Sequence, residues 1–160
     1  MILRTPLRVT KSEADKIVEE KSAWIEKHRA ERLREAQSES LPRFTEAEIR
    51  ALAEKALAYI PKRVEYFAKK MNVSYGKITI RNQTTRWGSC SSLGNLNFNC
   101  LLMLLPADVM DYVVVHELCH RKEMNHSPRF WAEVERVVPE YRKHVEWLKQ
   151  NGGAIIGRMR

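Results

Sequence analysis

Apolar residues recur at steps of three and four along most of this chain, and at steps of two through one short central stretch. Residues 2–9 alternate loosely around Pro6, which limits them to a short edge strand. Thr10-Lys11-Ser12-Glu13 reads as a capping box, and Ala14, Ile17, Val18, Trp24 and Ile25 form the apolar stripe of the helix it opens. Residues 29–37 are charged nearly all round, with Leu33 their only large apolar side chain. They predict an exposed helical extension that runs into a linker over 38–42. A second capping box, Thr45-Glu46-Ala47-Glu48, precedes Ile49, Leu52, Ala53, Ala56, Ile60, Val64 and Phe67. Pro61 interrupts that run and predicts a kink or two abutting helices.

The period then shortens. Residues 77–81, 86–90 and 95–99 alternate, and Leu93-Gly94-Asn95 supplies a turn, which predicts three short strands with two of them in a hairpin. Helical spacing returns after Pro106, expected as the first residue of a helix carrying Val109, Tyr112, Val113, His116 and His120. Ser127-Pro128 opens another helix through Phe130, Trp131, Val134 and Val137. Pro139 starts a last one through Tyr141, Val145 and Leu148, with Gly152 expected just past its end. Helices, a small sheet and helices again make the fold class α+β.

The length of 160 residues suits one domain, read here as a core over 45–152 with an N-terminal extension over 1–37. No apolar run approaches the roughly 20 residues that cross a bilayer, so no membrane association is expected. The first residues lack the apolar segment of a secretory signal. Cys90, Cys100 and Cys119 form no C-x-x-C pair and read as small buried hydrophobes rather than a disulfide framework. A cytoplasmic, reduced setting is the expectation. Net charge is +8, unevenly placed: residues 1–50 hold 11 Lys/Arg against 10 Asp/Glu, and residues 51–160 hold 17 against 10. No acidic residue falls between Glu65 and Asp108, where Lys69, Lys70, Lys77, Arg81 and Arg86 lie, a stretch suited to phosphates or to a solvated basic face.

The chemistry concentrates in His116-Glu117-Leu118-Cys119-His120, an H-E-x-x-H motif. Two histidines four apart on a helix sit about 40° apart around its axis and one turn along it, so both imidazoles reach one ion. Neutral imidazole suits Zn²⁺, and an open fourth position leaves room for water. Glu117 follows the first ligand and is placed to act as general base. The apolar run 109–115 would hold the motif helix in a core. A third ligand is needed, and His126 follows at the spacing H-E-x-x-H-x5-H, with Glu133 and Glu135 on the next helix as competitors. His126 is preferred: a helix end at Asn125 in the left-handed conformation would aim it back. Glu123 stands where a turn glycine occurs in metzincins, so the reversal must be built differently.

The segments Arg86-Trp87-Gly88-Ser89-Cys90-Ser91-Ser92, Gly94-Asn95-Leu96-Asn97-Phe98-Asn99, Val113-Val114-Val115-His116-Glu117-Leu118-Cys119-His120 and Asn125-His126-Ser127-Pro128-Arg129-Phe130-Trp131 together resemble the YgjP-like metallopeptidase family, which is related to the SprT-like zincins. The resemblance runs over about residues 5–152. It implies a zincin-like fold, a zinc ion held by His116, His120 and His126, Glu117 as catalytic acid and base, and hydrolysis of a peptide or protein substrate.

Flanking residues extend this reading. Trp87 is expected in the core, and Gly88 to let another backbone approach closely. Arg86, Asn97 and Asn99 are candidate substrate contacts, since a strand beside a zincin motif helix receives the peptide as an added strand. Tyr112, Tyr141 and His144 are candidates to stabilise a tetrahedral oxyanion. A second reading, from the basic stretch with Trp87 and Phe98 as stacking groups, is a nucleic-acid-associated protein with a structural or vestigial metal site.

Overall fold

A computed structural model describes residues 10–22, 24–26, 28–29 and 42–159. The strand expected over 2–9 and nearly all of the charged extension and linker lie outside the described residues. Helix α1, Lys11–Glu20, starts where the first capping box places it. Ile17 and Trp24 from its predicted apolar stripe stand exposed.

Helix α2, Glu46–Met71, has the second capping box in full: Thr45 Oγ1 accepts from Glu48 N–H at 3.2 Å, and the Glu48 carboxylate accepts from Thr45 N–H at 2.8 Å. The helix runs unbroken through Pro61, where a kink or break was expected. Pro61 removes only the bond to the Leu57 carbonyl, on an exposed turn, while Ile60 and Val64 beside it are fully buried. The helix ends at Asn72, in the left-handed region at φ 52°. Its buried stripe of Leu52, Ala56, Ile60, Val64, Phe67 and Met71 packs on a 3-10 helix, Cys100–Leu104, and on the motif helix. Arg63 clamps that packing with a two-pronged bond to Asp111, at 2.8 and 2.6 Å.

Among the described residues the sheet has three strands, β1 Ile78–Arg81, β2 Gly88–Cys90 and β3 Leu96–Asn99, in the order β1-β3-β2. β2 and β3 form the expected antiparallel hairpin, pairing Gly88 with Phe98 and Cys90 with Leu96. β1 lies parallel on the other side of β3. Gly94 makes the turn at φ +82°, a conformation that favours glycine, and the Arg121 guanidinium fills the space where its side chain would stand. Leu96 and Phe98 are wholly buried. β2 is therefore an edge strand, and it packs against the motif helix.

The motif helix α3, Ala107–Cys119, is apolar nearly all round: Val109, Met110, Val113, Val114, Val115, Leu118 and Cys119 are buried. Each buried aliphatic side chain contributes roughly 1.5–3 kcal/mol, which fixes this helix in the core. Pro106 caps it rather than opening its first turn, and it ends at Cys119, well before Asn125. Helix α4, Pro128–Val137, begins at the Ser127 cap as predicted, with Ser127 Oγ accepting from Phe130 N–H at 3.3 Å. Helix α5, Tyr141–Gly157, starts two residues after Pro139 and passes through Gly152 instead of stopping there. The cause is tertiary. Gly152 is buried, and a Cβ on it would lie 3.2 Å from the Trp87 indole, so the bare backbone lets Trp87 approach the helix closely. Among the described residues, no helix is long and apolar enough to cross a membrane.

Candidate metal and catalytic site

His116 sits in the last turn of α3 and His120 at its C-terminal cap. The chain then reverses over six residues. Lys122 and Glu123 N–H both bond the Cys119 carbonyl, and Ser127 N–H bonds the Asn125 carbonyl at 2.8 Å. Ser127 Oγ also donates to the Glu123 carboxylate at 3.0 Å. That carboxylate ties the turn where a glycine would otherwise have bent it. Asn125 does not take the left-handed conformation expected of it: among the described non-glycine residues only Asn72 has a positive φ.

The result brings His126 to the other two histidines. The ring centroids are 5.2 Å apart for His116–His120, 4.9 Å for His116–His126 and 4.9 Å for His120–His126. One ligand atom from each falls within 4.8 Å of the others. His116 Nε2 and His126 Nε2 stand 3.0 Å apart. Two nitrogens bound to one tetrahedral zinc ion at the usual bond length are about 3.3 Å apart, so the set fits such an ion with little adjustment.

The outward nitrogens are engaged. Tyr112 Oη is 3.5 Å from His116 Nδ1, and the Glu123 carbonyl is 3.2 Å from His120 Nδ1. The Glu123 carbonyl can only accept, so His120 Nδ1 carries the proton there and its Nε2 keeps a free lone pair. Burial, with His120 and His126 adding to it, pushes the His116 imidazole down to about 3. Burial lowers His120 as well. Neutral imidazoles are the form that ligates metal. Phe130, fully buried, lies beneath all three rings at 4.6–4.9 Å between centroids, and Trp131 stacks on His126 at 5.8 Å. The competitors for third ligand point elsewhere. Glu133 is held by Lys122 and Arg136, each at 2.9 Å, and Glu135 is exposed.

Glu117 is 5% exposed and lies against Gly88 of β2, which is approached by this side chain rather than by another backbone. Burial pushes its carboxyl up to about 8, against the opposing pull of the Arg86 guanidinium. Arg86 is exposed at the rim, within electrostatic reach of Glu117.

The other nominated residues separate in the structure. Asn97 is half-buried and bonds Ser89 Oγ at 3.3 Å and Arg81 Nε at 3.1 Å. Asn99 shows no exposed surface, and this corrects its nomination as a substrate contact. Its amide nitrogen donates to the Gln83 and Arg86 carbonyls, and its oxygen accepts from Leu101 N–H. Tyr112 stands behind His116, with burial pushing its hydroxyl up to about 12. His144 packs on Tyr112 at 6.0 Å and lies 3.6 Å from Asp108. Tyr141 is buried and stacks on Trp131 at 5.3 Å. Cys100 and Cys119 are buried as expected, and Cys90 is half-buried. Lys69, Lys70, Lys77, Arg81 and Arg86 of the basic stretch are all exposed, with Lys69 bonded to Glu65 and Arg81 to Asn97. The Glu123 carbonyl is a contributor that leaves no residue-type signal, whereas glycine at position 88 signals a close approach without saying that the Glu117 side chain makes it.

Three histidines on and after the motif helix form a cluster that could hold a metal ion, and Glu117, the residue after the first of them, is buried. A family model described as YgjP-like, metallopeptidase domain, matches residues 35–151, and the chain belongs to that family. Comparison with curated proteins returns no match. Among solved structures, the metallopeptidase zymogen abylysin of Pyrococcus abyssi is similar at a TM-score of 0.52 and 23% identity, over 57% of this chain and 93% of that one. The metallopeptidase zymogen jannalysin of Methanocaldococcus jannaschii gives a TM-score of 0.48 and 20% identity, over 55% of this chain and 94% of that one. The likeness to abylysin supports the zincin-like α+β fold.

Proposed function

We propose that this chain is a zinc-dependent peptidase, with His116, His120 and His126 holding the ion and Glu117 as catalytic base and acid. The observation that carries the reading is the convergence of three imidazoles, with the carboxyl group of the residue after the first of them buried. When bound, zinc supplies a Lewis acid that polarises a peptide carbonyl and lowers the pKa of water toward about 7, and its charge favours the ionised form of Glu117. Glu117 takes the proton of the attacking water at a carboxylate oxygen and delivers it to the leaving amine nitrogen. Tyr112 and the Glu123 carbonyl hold the two helix imidazoles in the ligating tautomer. Phe130 and Trp131 exclude water from the floor of the site. β2, at the edge of the sheet, offers backbone groups to an extended peptide, with Arg86 two residues before it and Asn97 on the neighbouring strand β3. The catalytic unit is residues 45–152 of a single domain.

The test is cleavage of fluorescein-labelled casein by the zinc-loaded protein and its Glu117→Gln variant. Cleavage by the parent and its loss in a variant that still takes up zinc supports the reading, and equal cleavage by both sinks it. Nucleic acid, the partner suggested by net charge, is a separate proposal. Binding of DNA or RNA that weakens steeply with salt supports it, and no binding at low salt removes it.

A further inference from the structure

A Cβ built on Gly88 would lie 2.7 Å from Oε1 of Glu117, 2.8 Å from its Cγ and 3.0 Å from its Cδ. Those are the three heavy atoms nearest to it, and all belong to one side chain. The backbone gives no other reason for glycine here. Gly88 has no positive φ, a feature confined to Gly94 among the described glycines. Its place opposite Phe98 in the hairpin is one that any residue can fill. We infer that Gly88 is a positioning residue: its missing side chain is the space in which the Glu117 carboxylate is held beside the histidines. This rests on the proposed role of Glu117.

The relief of an added methyl group falls on the carboxylate because both backbones are held. On one side, Val114, Val115 and Leu118 of α3 are completely buried. On the other, Asn99 N–H bonds the Trp87 carbonyl at 2.8 Å and Ser91 N–H bonds the Asn95 carbonyl at 2.9 Å, pinning β2 at both ends. Alanine at position 88 therefore turns Glu117 out of its place and leaves the three imidazoles where they are. A shift of about 1 Å in a group that must meet a proton in line costs up to about a hundredfold in rate. The three atoms nearest to that Cβ belong to Glu117 and to none of the three histidines, so zinc affinity is expected to hold.

The test is a double-mutant cycle in the full chain at a fixed excess of zinc: parent, Gly88→Ala, Glu117→Ala and the double variant. Overpacking predicts that Gly88→Ala lowers the unfolding midpoint by roughly 3–8 °C when Glu117 is present, and hardly at all when residue 117 is alanine. If Gly88→Ala fails to fold while the double variant folds, the inference is equally supported. On fluorescein-labelled casein, Gly88→Ala is expected to lose at least tenfold in kcat, with KM and zinc affinity within threefold of the parent. An equal midpoint loss in both backgrounds would show that the strand itself needs glycine and would overturn the inference. An unchanged midpoint or an unchanged kcat in Gly88→Ala would also overturn it. A parent that cleaves nothing contradicts the peptidase reading alone, and the midpoint cycle still decides the role of Gly88.

Discussion

Replacing Glu117 by glutamine stabilises the metal-free protein, and does so only as the pH rises. Glu117 is almost fully buried, and its carboxyl titrates at about 8 in the fold against an ordinary value of 4.5. Between those two values the folded protein keeps a proton that the unfolded chain releases. Stability contributed by this group is therefore present below pH 4.5 and is lost as the pH climbs through 8. At 1.36 kcal/mol per unit, the loss between pH 5 and pH 8 is on the order of 3 kcal/mol. Glutamine carries no such charge, so the variant escapes the loss. His116 titrates in the opposite sense, its low folded value costing stability as the pH falls from about 6.5, but it is common to both proteins and cancels in their difference. The assay is urea unfolding after treatment with a chelator, followed by tryptophan fluorescence at pH 5 and pH 8. Glu117→Gln should gain on the order of 3 kcal/mol relative to the parent between the two conditions. A difference that does not change with pH would show that Glu117 is not desolvated in the fold, and the reasoning would fail.

Tyr112→Phe removes the hydroxyl at His116 Nδ1 without changing the ring, and should weaken zinc binding about tenfold in competition with a chromogenic chelator; equal affinity would deny the hydroxyl that role. His126→Ala should lose zinc in the same assay while Glu133→Ala and Glu135→Ala keep it, and the reverse pattern would make a glutamate the third ligand. Asn99→Ala leaves two carbonyls and one N–H short of a partner in a buried site and should cost about 2–4 kcal/mol in urea unfolding, against less than about 1 for Asn97→Ala; equal costs would contradict the burial difference.

What was legible in the sequence was local. The pair His116 and His120 follows from helical spacing, the β2–β3 hairpin from alternation around Gly94, and the Ser127 cap from residue types at fixed offsets. Tertiary packing decided the rest. Asn125 has the propensity to end a helix left-handed, yet a Ser127–Glu123 bond and a shorter α3 make the turn without it. Gly152 has the propensity to stop a helix, yet the Trp87 indole resting on it carries α5 onward. The face shared by Asn97 and Asn99 followed from the period of two. That the loop over 83–86 covers Asn99 was not visible, because it depends on where a separate segment folds back. Tyr112 was marked for its chemistry, and its distance of four residues from His116 already placed it on the same helix face. Its direction, behind the ligand rather than over the substrate, is a matter of side-chain rotation.

The central claim is a single metal ion on His116, His120 and His126, and metal uptake by the chelator-treated protein tests it most directly. The account predicts one equivalent of zinc for the parent and for Glu117→Gln, and a large loss in His126→Ala. Less than about a tenth of an equivalent in the parent, with no uptake on titration with zinc, would contradict it.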